Sequence, residues 1–294
     1  MQLSRRRLLA MAGAAVVSRA QAAARRPDRV AVIDWAMLET ALAMGIVPVA
    51  APELMQYRQI VVEPPVPPAT ADFGLRGTPS YELLRMTAPD LILSSNFYAR
   101  QLPNLERIAP VVSATVYEPV RPTYALAQEA ARVIGEAAGR QAEAQELIAR
   151  SAVTLDHAAT VLRPLTDRPV FTISIGDARH FRAFGPDSMP GDVMTRLGFR
   201  NAWHSGTSYS AAAPVSFEAL AQVPEAYVVI IEPVPPEAQP LLTGSRLWQA
   251  LPTVRERRVV RIGAVNHFGG LPSAQRFARL LAEALTGAAW DSHG

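Results

Sequence analysis

The chain has 294 residues, 49% hydrophobic and 19% charged, so it is long enough for two ordinary domains and too apolar to be disordered. Its formal net charge of +3 depends on four arginines in the first 22 residues; the remaining 25 basic and 26 acidic residues give no basic excess for nucleic-acid binding. Because cysteine is absent from the sequence, disulfides, thiolate metal sites and cysteine nucleophiles are excluded.

The first predicted element is an export signal at residues 1–22. Arg5 and Arg6 precede a run of small and apolar residues at 10–17, and residues 20–22 form a small-x-small cleavage site. This order is typical of secretory signals, and the paired arginines are typical of the twin-arginine export route. The apolar run is too short to cross a bilayer. We therefore expect the mature chain to lie in the periplasm.

Short apolar strands alternate with helical patterns between residues 30 and 117. Such strands, separated by helices, indicate a parallel sheet with both faces covered. The proline-rich segment 63–68 fits neither a helix nor a central strand and is predicted to be a loop. The predicted strands are 30–34, 46–50, 91–95 and 111–117, and the predicted helices are 35–44, 81–86 and 102–108.

The middle of the chain is predicted to be helical. Residues 123–138 are rich in alanine and are followed by Gly139, a common helix stop. Residues 141–162 repeat apolar side chains every three or four positions until Pro164 ends the pattern. A helix of this length is a rod of about 33 Å at about 1.5 Å per residue. It is long enough to connect two lobes.

From residue 170 onwards strands and helices alternate again, which predicts a second α/β lobe. The strands are expected at 170–175, 227–231 and 259–262, and the helices at 190–197, 217–222, 246–251 and 273–285. The predicted domains are an N-terminal lobe (23–139), a linking helix (140–163) and a C-terminal lobe (164–294). A cleft between two lobes is the usual site for a small ligand, and a single rigid connection predicts little closure on binding.

Several short motifs occur in a fixed order along the mature chain. Among them are ALAMGIVP at 41–48, EPP at 63–65, GLRGTP at 74–79, FGPDS at 184–188 and LWQALPTVR at 247–255. In this order they resemble the periplasmic iron-siderophore binding proteins of ABC importers, especially the ferric hydroxamate (ferrichrome-type) branch. The resemblance implies two Rossmann-like lobes joined by a single long helix, the class III type of periplasmic binding protein.

The resemblance also implies a function without catalysis. The ligand would be an iron(III)-siderophore chelate in the inter-lobe cleft, and the partner would be the permease dimer of an ABC importer in the inner membrane. Because the siderophore already holds the iron, neither a protein metal ligand nor a cofactor is expected. We expect the chain to act as a monomer without a nucleic-acid partner.

Two residues of the first lobe are candidates for ligand contact. Arg76 lies in a motif that should face the cleft, and the resemblance implies that its guanidinium binds hydroxamate oxygens. Tyr98 follows the predicted strand 91–95, and open α/β sheets bind ligands at the carboxyl ends of their strands. The resemblance places a ligand-contacting tyrosine here as well, with Phe97 as the alternative if the register shifts by one residue.

The second lobe departs from the pattern of the family. Ser210 stands where the hydroxamate branch has a tryptophan, and the run 266–268 replaces consecutive aromatic residues. We expect Tyr209 and Phe268 to line the cleft, and His267 to donate a hydrogen bond rather than to bind iron. The departures keep the ligand class but leave the identity of the siderophore open, so a siderophore that differs in chemistry or bulk from the ligands of that branch stays an alternative.

Two acidic residues are candidates for docking. Glu82 and Glu218 each begin a predicted helix, one in each lobe, and the resemblance implies that such acids pair with arginines of the permease. The alternative is an ordinary helix-start glutamate, stabilised by the helix dipole.

Other functions lack their sequence patterns. A secreted hydrolase would need a Gly-x-Ser-x-Gly turn, and a nicotinamide or flavin enzyme a Gly-x-Gly-x-x-Gly turn after a strand; neither occurs. The five histidines are scattered without a His-x-x-x-His pair, which disfavours a metalloenzyme. A corrinoid or haem bound by the same fold stays open as the second hypothesis.

Overall fold

A computed structural model describes residues 26–205 and 215–287. The predicted export signal with Arg5 and Arg6 lies outside the described residues, and so does Tyr209. None of the helices in the described part of the chain combines the length and the hydropathy that a membrane span needs.

The first lobe is built on a parallel sheet of five strands in the order β3-β2-β1-β4-β5. The strand order reverses between β1 and β4, which lie side by side, and their carboxyl ends therefore border a crevice. The strands are β1 (Val30–Val32), β2 (Ala50–Ala51), β3 (Ala71–Asp72), β4 (Leu91–Ser95) and β5 (Val111–Ala114). The helices are α1 (Trp35–Ala43), α2 (Leu54–Ile60), α3 (Tyr81–Met86) and α4 (Leu102–Leu105).

The predicted strand at 46–50 is wrong for most of its length. Gly45 has a φ of +73°, the left-handed conformation that ends α1, and Pro48 has no N–H to donate to a neighbouring strand. Only its last residue belongs to a strand, because β2 covers Ala50–Ala51.

The second lobe contains a mixed sheet of five strands in the order β10-β9-β6-β7-β8, in which β7 and β8 run antiparallel to their neighbours. Neither β7 nor β8 was predicted. The strands are β6 (Val170–Ile175), β7 (His180–Ala183), β8 (Val215–Ser216), β9 (Tyr227–Ile231) and β10 (Val259–Ile262). The helices are α7 (Met189–Arg196), α8 (Gln239–Gly244), α9 (Arg246–Ala250), α10 (Pro252–Arg255) and α11 (Leu271–Thr286), and the predicted helix at 217–222 is a 3₁₀ helix (Phe217–Gln222).

Two helices follow the first sheet at the predicted bounds: α5 (Thr123–Ala138) and the long helix α6 (Gln141–Leu162), which leads to the second sheet. Helix α6 packs against α5 and α11, and α11 packs in turn against α1, α5 and α7. One apolar core therefore contains side chains of both lobes, such as Leu38, Ile231 and Phe277. Because this core is continuous, the lobes are held together by burial of apolar surface as well as by the connecting helix.

The architecture confirms the predicted fold class, two α/β lobes joined by a long helix. The limits of the lobes at 23–139 and 164–294, and of the linking segment at 140–163, remain predictions.

Candidate functional site

A cavity of about 430 Å³ opens between the lobes. It lies at the carboxyl ends of β1 and β4, where the strand order of the first sheet reverses and where open α/β sheets bind ligands. Its wall is aromatic and polar and contains side chains of both lobes: Asp34, Trp35, Ala36, Glu53, Arg76, Gly77, Phe97, Tyr98, Gln101, Asn266 and Phe268.

Arg76 lies in this cavity and is held by two neighbours. Its Nε atom donates to Glu53 Oε2 at 2.7 Å, and its guanidinium carbon lies 3.6 Å from the centroid of the Trp35 ring. The backbone N–H of Arg76 donates to the other carboxylate oxygen of Glu53 at 2.9 Å. A guanidinium has five N–H donors, and Glu53 accepts one of them. Arg76 therefore retains donors for a ligand.

Asp72, at the end of β3, fixes the two loops that carry this pair. Its carboxylate accepts from the backbone N–H groups of Leu54 at 2.8 Å and Gly74 at 2.9 Å. Gly74 has a φ of +93°, which a residue with a side chain rarely adopts, and its carbonyl accepts from the N–H of Glu53 at 2.9 Å. The GLR motif thus places Arg76 beside Glu53.

Tyr98 reaches the cavity from the 3₁₀ turn Asn96–Tyr98, directly after β4. Ser95 begins the turn by accepting from the N–H of Phe97 at 3.3 Å. Burial, together with the nearby carboxyl group of Asp34, raises the pKa of Tyr98. Its hydroxyl group therefore stays protonated and can donate a hydrogen bond to a ligand.

Phe97 lines the cavity as well, so both residues of the uncertain register belong to its wall. Its ring stacks on Tyr117, with the centroids 6.0 Å apart, and meets Phe268 of the second lobe edge-on at 6.4 Å. The aromatic wall thus continues across the boundary between the lobes.

Asp34, just after β1, is a buried acid in the wall of the cavity. Burial raises its pKa, although Met37 N–H and Ser95 Oγ both donate to it at 2.9 Å. The Arg76 guanidinium and the Glu53 carboxylate in the cavity wall therefore balance each other's charge, and burial raises the pKa of the second carboxyl group, that of Asp34. This balance suits a ligand of low net charge.

The second-lobe candidates are placed differently from one another. Phe268 lines the cavity, whereas His267 is absent from its lining. The His267 ring lies between Phe184 and Phe268, with centroids at 4.8 and 5.1 Å, and its Nε2 is 3.4 Å from Nη1 of Arg182. Burial, with the positive charge of Arg182, lowers the pKa of His267 to about 4. It is therefore a neutral ring that supports the wall behind Phe268.

Glu82 and Glu218 both lie on the surface, away from the cavity. Glu82 is in the first turn of α3, and Glu218 is in the first turn of the 3₁₀ helix Phe217–Gln222. Within the described residues, no group of three or more His, Asp or Glu side chains could hold a metal ion.

Several residues of the wall were missed by the sequence analysis. Asp34 and Trp35 follow β1 as Tyr98 follows β4, so the rule about carboxyl strand ends could have found them. Asn266 comes shortly after β10 in the same way. Glu53 comes two residues after β2 and fits the same rule, whereas Gln101 carries no comparable signal.

The chain is similar to known proteins over nearly its whole length. A family model described as "Periplasmic binding protein" matches residues 30–265. The chain is 32% identical over 291 residues, 98% of each chain, to the iron(3+)-hydroxamate-binding protein FhuD of Escherichia coli (strain K12). It is 27% identical over 259 residues to the achromobactin-binding periplasmic protein of Dickeya dadantii (strain 3937), covering 82% of this chain and 80% of the relative.

The fold is also similar to a solved structure. The siderophore-binding protein FhuD of Vibrio cholerae, with Fe³⁺-Desferal bound, matches with a TM-score of 0.80 and 30% sequence identity. The match covers 87% of this chain and 97% of that protein.

Proposed function

The chain belongs to the periplasmic binding protein family, and on that premise we propose that it captures an iron(III)-hydroxamate siderophore between its lobes and delivers it to an ABC importer. One observation carries this proposal: Arg76 lies in an aromatic cavity at the strand-order reversal of the first sheet. The names of two relatives support the ligand class, since one binds iron(3+)-hydroxamate and the other holds Fe³⁺-Desferal.

The chemistry of the cavity suits such a chelate. Hydroxamate oxygens carry partial negative charge, and a guanidinium donates charge-assisted hydrogen bonds to oxygens of this kind. The rings of Trp35, Phe97, Tyr98 and Phe268 offer apolar faces to the organic shell of the siderophore. The siderophore itself coordinates the iron, so the protein binds a complete complex without a metal ligand of its own.

Delivery requires a surface that an importer can recognise in both lobes at once. Glu82 and Glu218 are exposed, one in each lobe, and a continuous apolar core joins the two lobes. We assign them to docking against arginines of the permease dimer. Export by the twin-arginine signal at 1–22, residence in the periplasm, action as a monomer and the absence of catalysis belong to the same proposal.

A fluorescence titration tests the ligand. Trp35 lines the cavity beside Arg76, so a bound iron chelate is expected to quench its emission. The panel contains Fe³⁺-Desferal, ferrichrome, a ferric catecholate, haem and cobalamin. We expect saturable quenching by the two hydroxamates alone. Quenching by cobalamin or haem alone would instead assign the cavity to that ligand and refute the proposal.

A matched pair of variants tests Arg76. Arg76→Ala is expected to weaken hydroxamate binding by about 1.5–3 kcal/mol, roughly 10- to 150-fold, because a charge-assisted contact is lost. Arg107→Ala removes the same charge from an exposed position and should leave the affinity unchanged. Equal affinities of the two variants would remove Arg76 from the site.

A further inference from the structure

A buried carboxyl group of the first lobe caps a helix of the second. Glu39 lies on α1 and is fully buried. Its Oε1 accepts from the backbone N–H groups of Gly270 at 2.5 Å and Ser273 at 3.2 Å, and its Oε2 accepts from the Ser273 hydroxyl at 2.7 Å. Gly270 is the N-cap residue of α11. Glu39 therefore satisfies N–H groups of the first turn that have no partner within the helix.

The segment 266–270, between β10 and α11, connects this cap to the ligand cavity. Asn266 lines the cavity, and its Nδ2 lies 3.5 Å from Glu39 Oε2. The Oδ1 of Asn266 accepts from the N–H of Phe268 at 3.2 Å. The bonds of Glu39 thus reach both ends of a short segment in which Asn266 and Phe268 form the second-lobe wall.

Close packing at the two glycines leaves this segment little freedom. A Cβ atom added to Gly269 would lie 2.6 Å from Glu39 Oε1 and 2.2 Å from Ser273 Oγ. A Cβ atom added to Gly270 would lie 2.5 Å from Thr40 Oγ1 on α1. The backbone of the segment therefore rests directly against α1, at a distance that a side chain would prevent.

We propose that Glu39 is a positioning residue for the ligand site: from the first lobe it fixes the segment 266–270, so that Asn266 and Phe268 keep their places in the cavity wall. The nature of the ligand rests on the proposed function, but the positioning of the segment does not. Burial raises the pKa of the Glu39 carboxyl group to about 8, and glutamine is its uncharged counterpart of similar shape.

Removal of the carboxyl group would leave buried donors without partners. Two backbone N–H groups, the Ser273 hydroxyl and the Asn266 amide all point to Glu39. Buried donors without partners are costly, and the segment is expected to move until water reaches them. Such a movement displaces Asn266 and Phe268 from the cavity.

Asp192 provides a matched control for the substitution of Glu39. This buried residue of α7 forms the reciprocal contact: its Oδ2 accepts from the N–H of Tyr124, at the start of α5, at 2.7 Å. It is the same type of helix cap between the same parts of the molecule. Asp192 neither lines the ligand cavity nor bonds to the segment 266–270 in the described part of the chain.

Two measurements on the full-length protein test the proposal. The first is hydrogen exchange at residues 266–273 without ligand, and the second is titration with Fe³⁺-Desferal. Glu39→Leu is expected to lose amide protection in this segment and to weaken binding roughly tenfold or more. Glu39→Gln should retain most of the amide protection and most of the affinity, because its amide oxygen can still accept from Gly270 and Ser273. Asp192→Leu should lower the unfolding temperature but change the affinity by less than about twofold.

The outcomes separate this inference from the proposed function. Wild-type exchange protection and wild-type affinity in Glu39→Leu would overturn the positioning role. If Glu39→Leu does not fold, Ser273→Ala removes one bond and should give a smaller loss of protection and affinity; no change in that variant would equally overturn it. If the wild-type protein does not bind Fe³⁺-Desferal, the proposed ligand class is refuted. The exchange experiment would still decide the role of Glu39.

Discussion

At the scale of single residues, Arg76 is held in position by its neighbours. Glu53 accepts from its Nε and its backbone N–H, and the Trp35 ring covers the guanidinium. Fixing a long side chain on binding costs about 0.5–1.5 kcal/mol. Because contacts within the protein already restrict Arg76, part of this entropic cost is met when the protein folds, before a ligand binds.

The sequence identified Arg76, Tyr98 and Phe268 as candidates, and all three line one cavity. It could not identify the partners that hold them. Glu53 lies 23 positions before Arg76, and Glu39 lies 231 positions before Gly270. Such pairs form only when the fold brings distant segments together.

His267 gives a prediction about pH. Its pKa in the folded protein is about 4, against 6.5 for an unperturbed histidine, because burial disfavours its charged form. Between these values the unfolded chain binds a proton that the folded chain does not, so acidification from pH 6.5 towards 4 should lower the free energy of unfolding. The positive charge of Arg182, whose Nη1 lies 3.4 Å from Nε2 of the ring, lowers the pKa of His267 further.

Urea unfolding at several pH values tests this dependence. The loss of stability on acidification should be smaller in His267→Gln than in the wild type, and unchanged in His204→Gln, whose histidine is exposed. If His267→Gln loses as much stability as the wild type, the histidine does not titrate as its burial implies.

At the scale of elements, the local sequence pattern predicted helices and strands correctly where their apolar periodicity is strong. Helices α5 and α6 and strands β4, β6, β9 and β10 lie where their apolar periodicity predicts. The missed elements include β3, α2 and β7. Strand β3 has two exposed residues, α2 takes its cap from Asp72, which follows it by twelve residues, and β7 is held by antiparallel pairing to β6. The contacts that stabilise these elements are not predictable from neighbouring residues in the sequence.

Asp72 should therefore matter for stability and for binding. Asp72→Ala removes an acceptor for the N–H groups of Glu53, Leu54 and Gly74. We expect a loss of about 1–2 kcal/mol in the free energy of unfolding, the usual cost of losing a helix cap, with weaker siderophore binding because the loops of Glu53 and Arg76 separate. Chemical unfolding and titration measure both effects.

Asp156→Ala is the control for this variant, because Asp156 is an exposed acid on α6. Asp156→Ala should change neither the free energy of unfolding nor the siderophore affinity appreciably. If Asp72→Ala is as stable as the wild type and binds the siderophore as tightly, the two loops keep their places without the carboxylate.

At the scale of the whole molecule, the proposed docking to the permease uses one acid in each lobe. Glu82→Arg with Glu218→Arg should leave chelate affinity intact and abolish iron uptake by cells, because like charges would face the permease arginines. The control is Glu106→Arg with Glu237→Arg, which reverses exposed charges elsewhere, again one in each lobe. Normal uptake with the first pair, or equal loss with both pairs, would contradict the assigned docking sites.

The lobes are expected to move little when the ligand binds. The core that contains Leu38, Ile231 and Phe277 is continuous, and the buried caps of Glu39 and Asp192 cross between the lobes in opposite directions. Opening or closing the cleft would break apolar contacts and these hydrogen bonds together. We therefore expect a ligand to be selected by the shape and the donors of the cavity rather than by closure around it.

A crystal structure of the protein with Fe³⁺-Desferal is the most direct test of the central claim. We predict that the chelate lies between Trp35, Tyr98 and Phe268, with the Arg76 guanidinium within hydrogen-bonding distance of hydroxamate oxygens and the lobes in the arrangement described above. A chelate bound outside this cavity, or one that Arg76 does not contact, would contradict the claim.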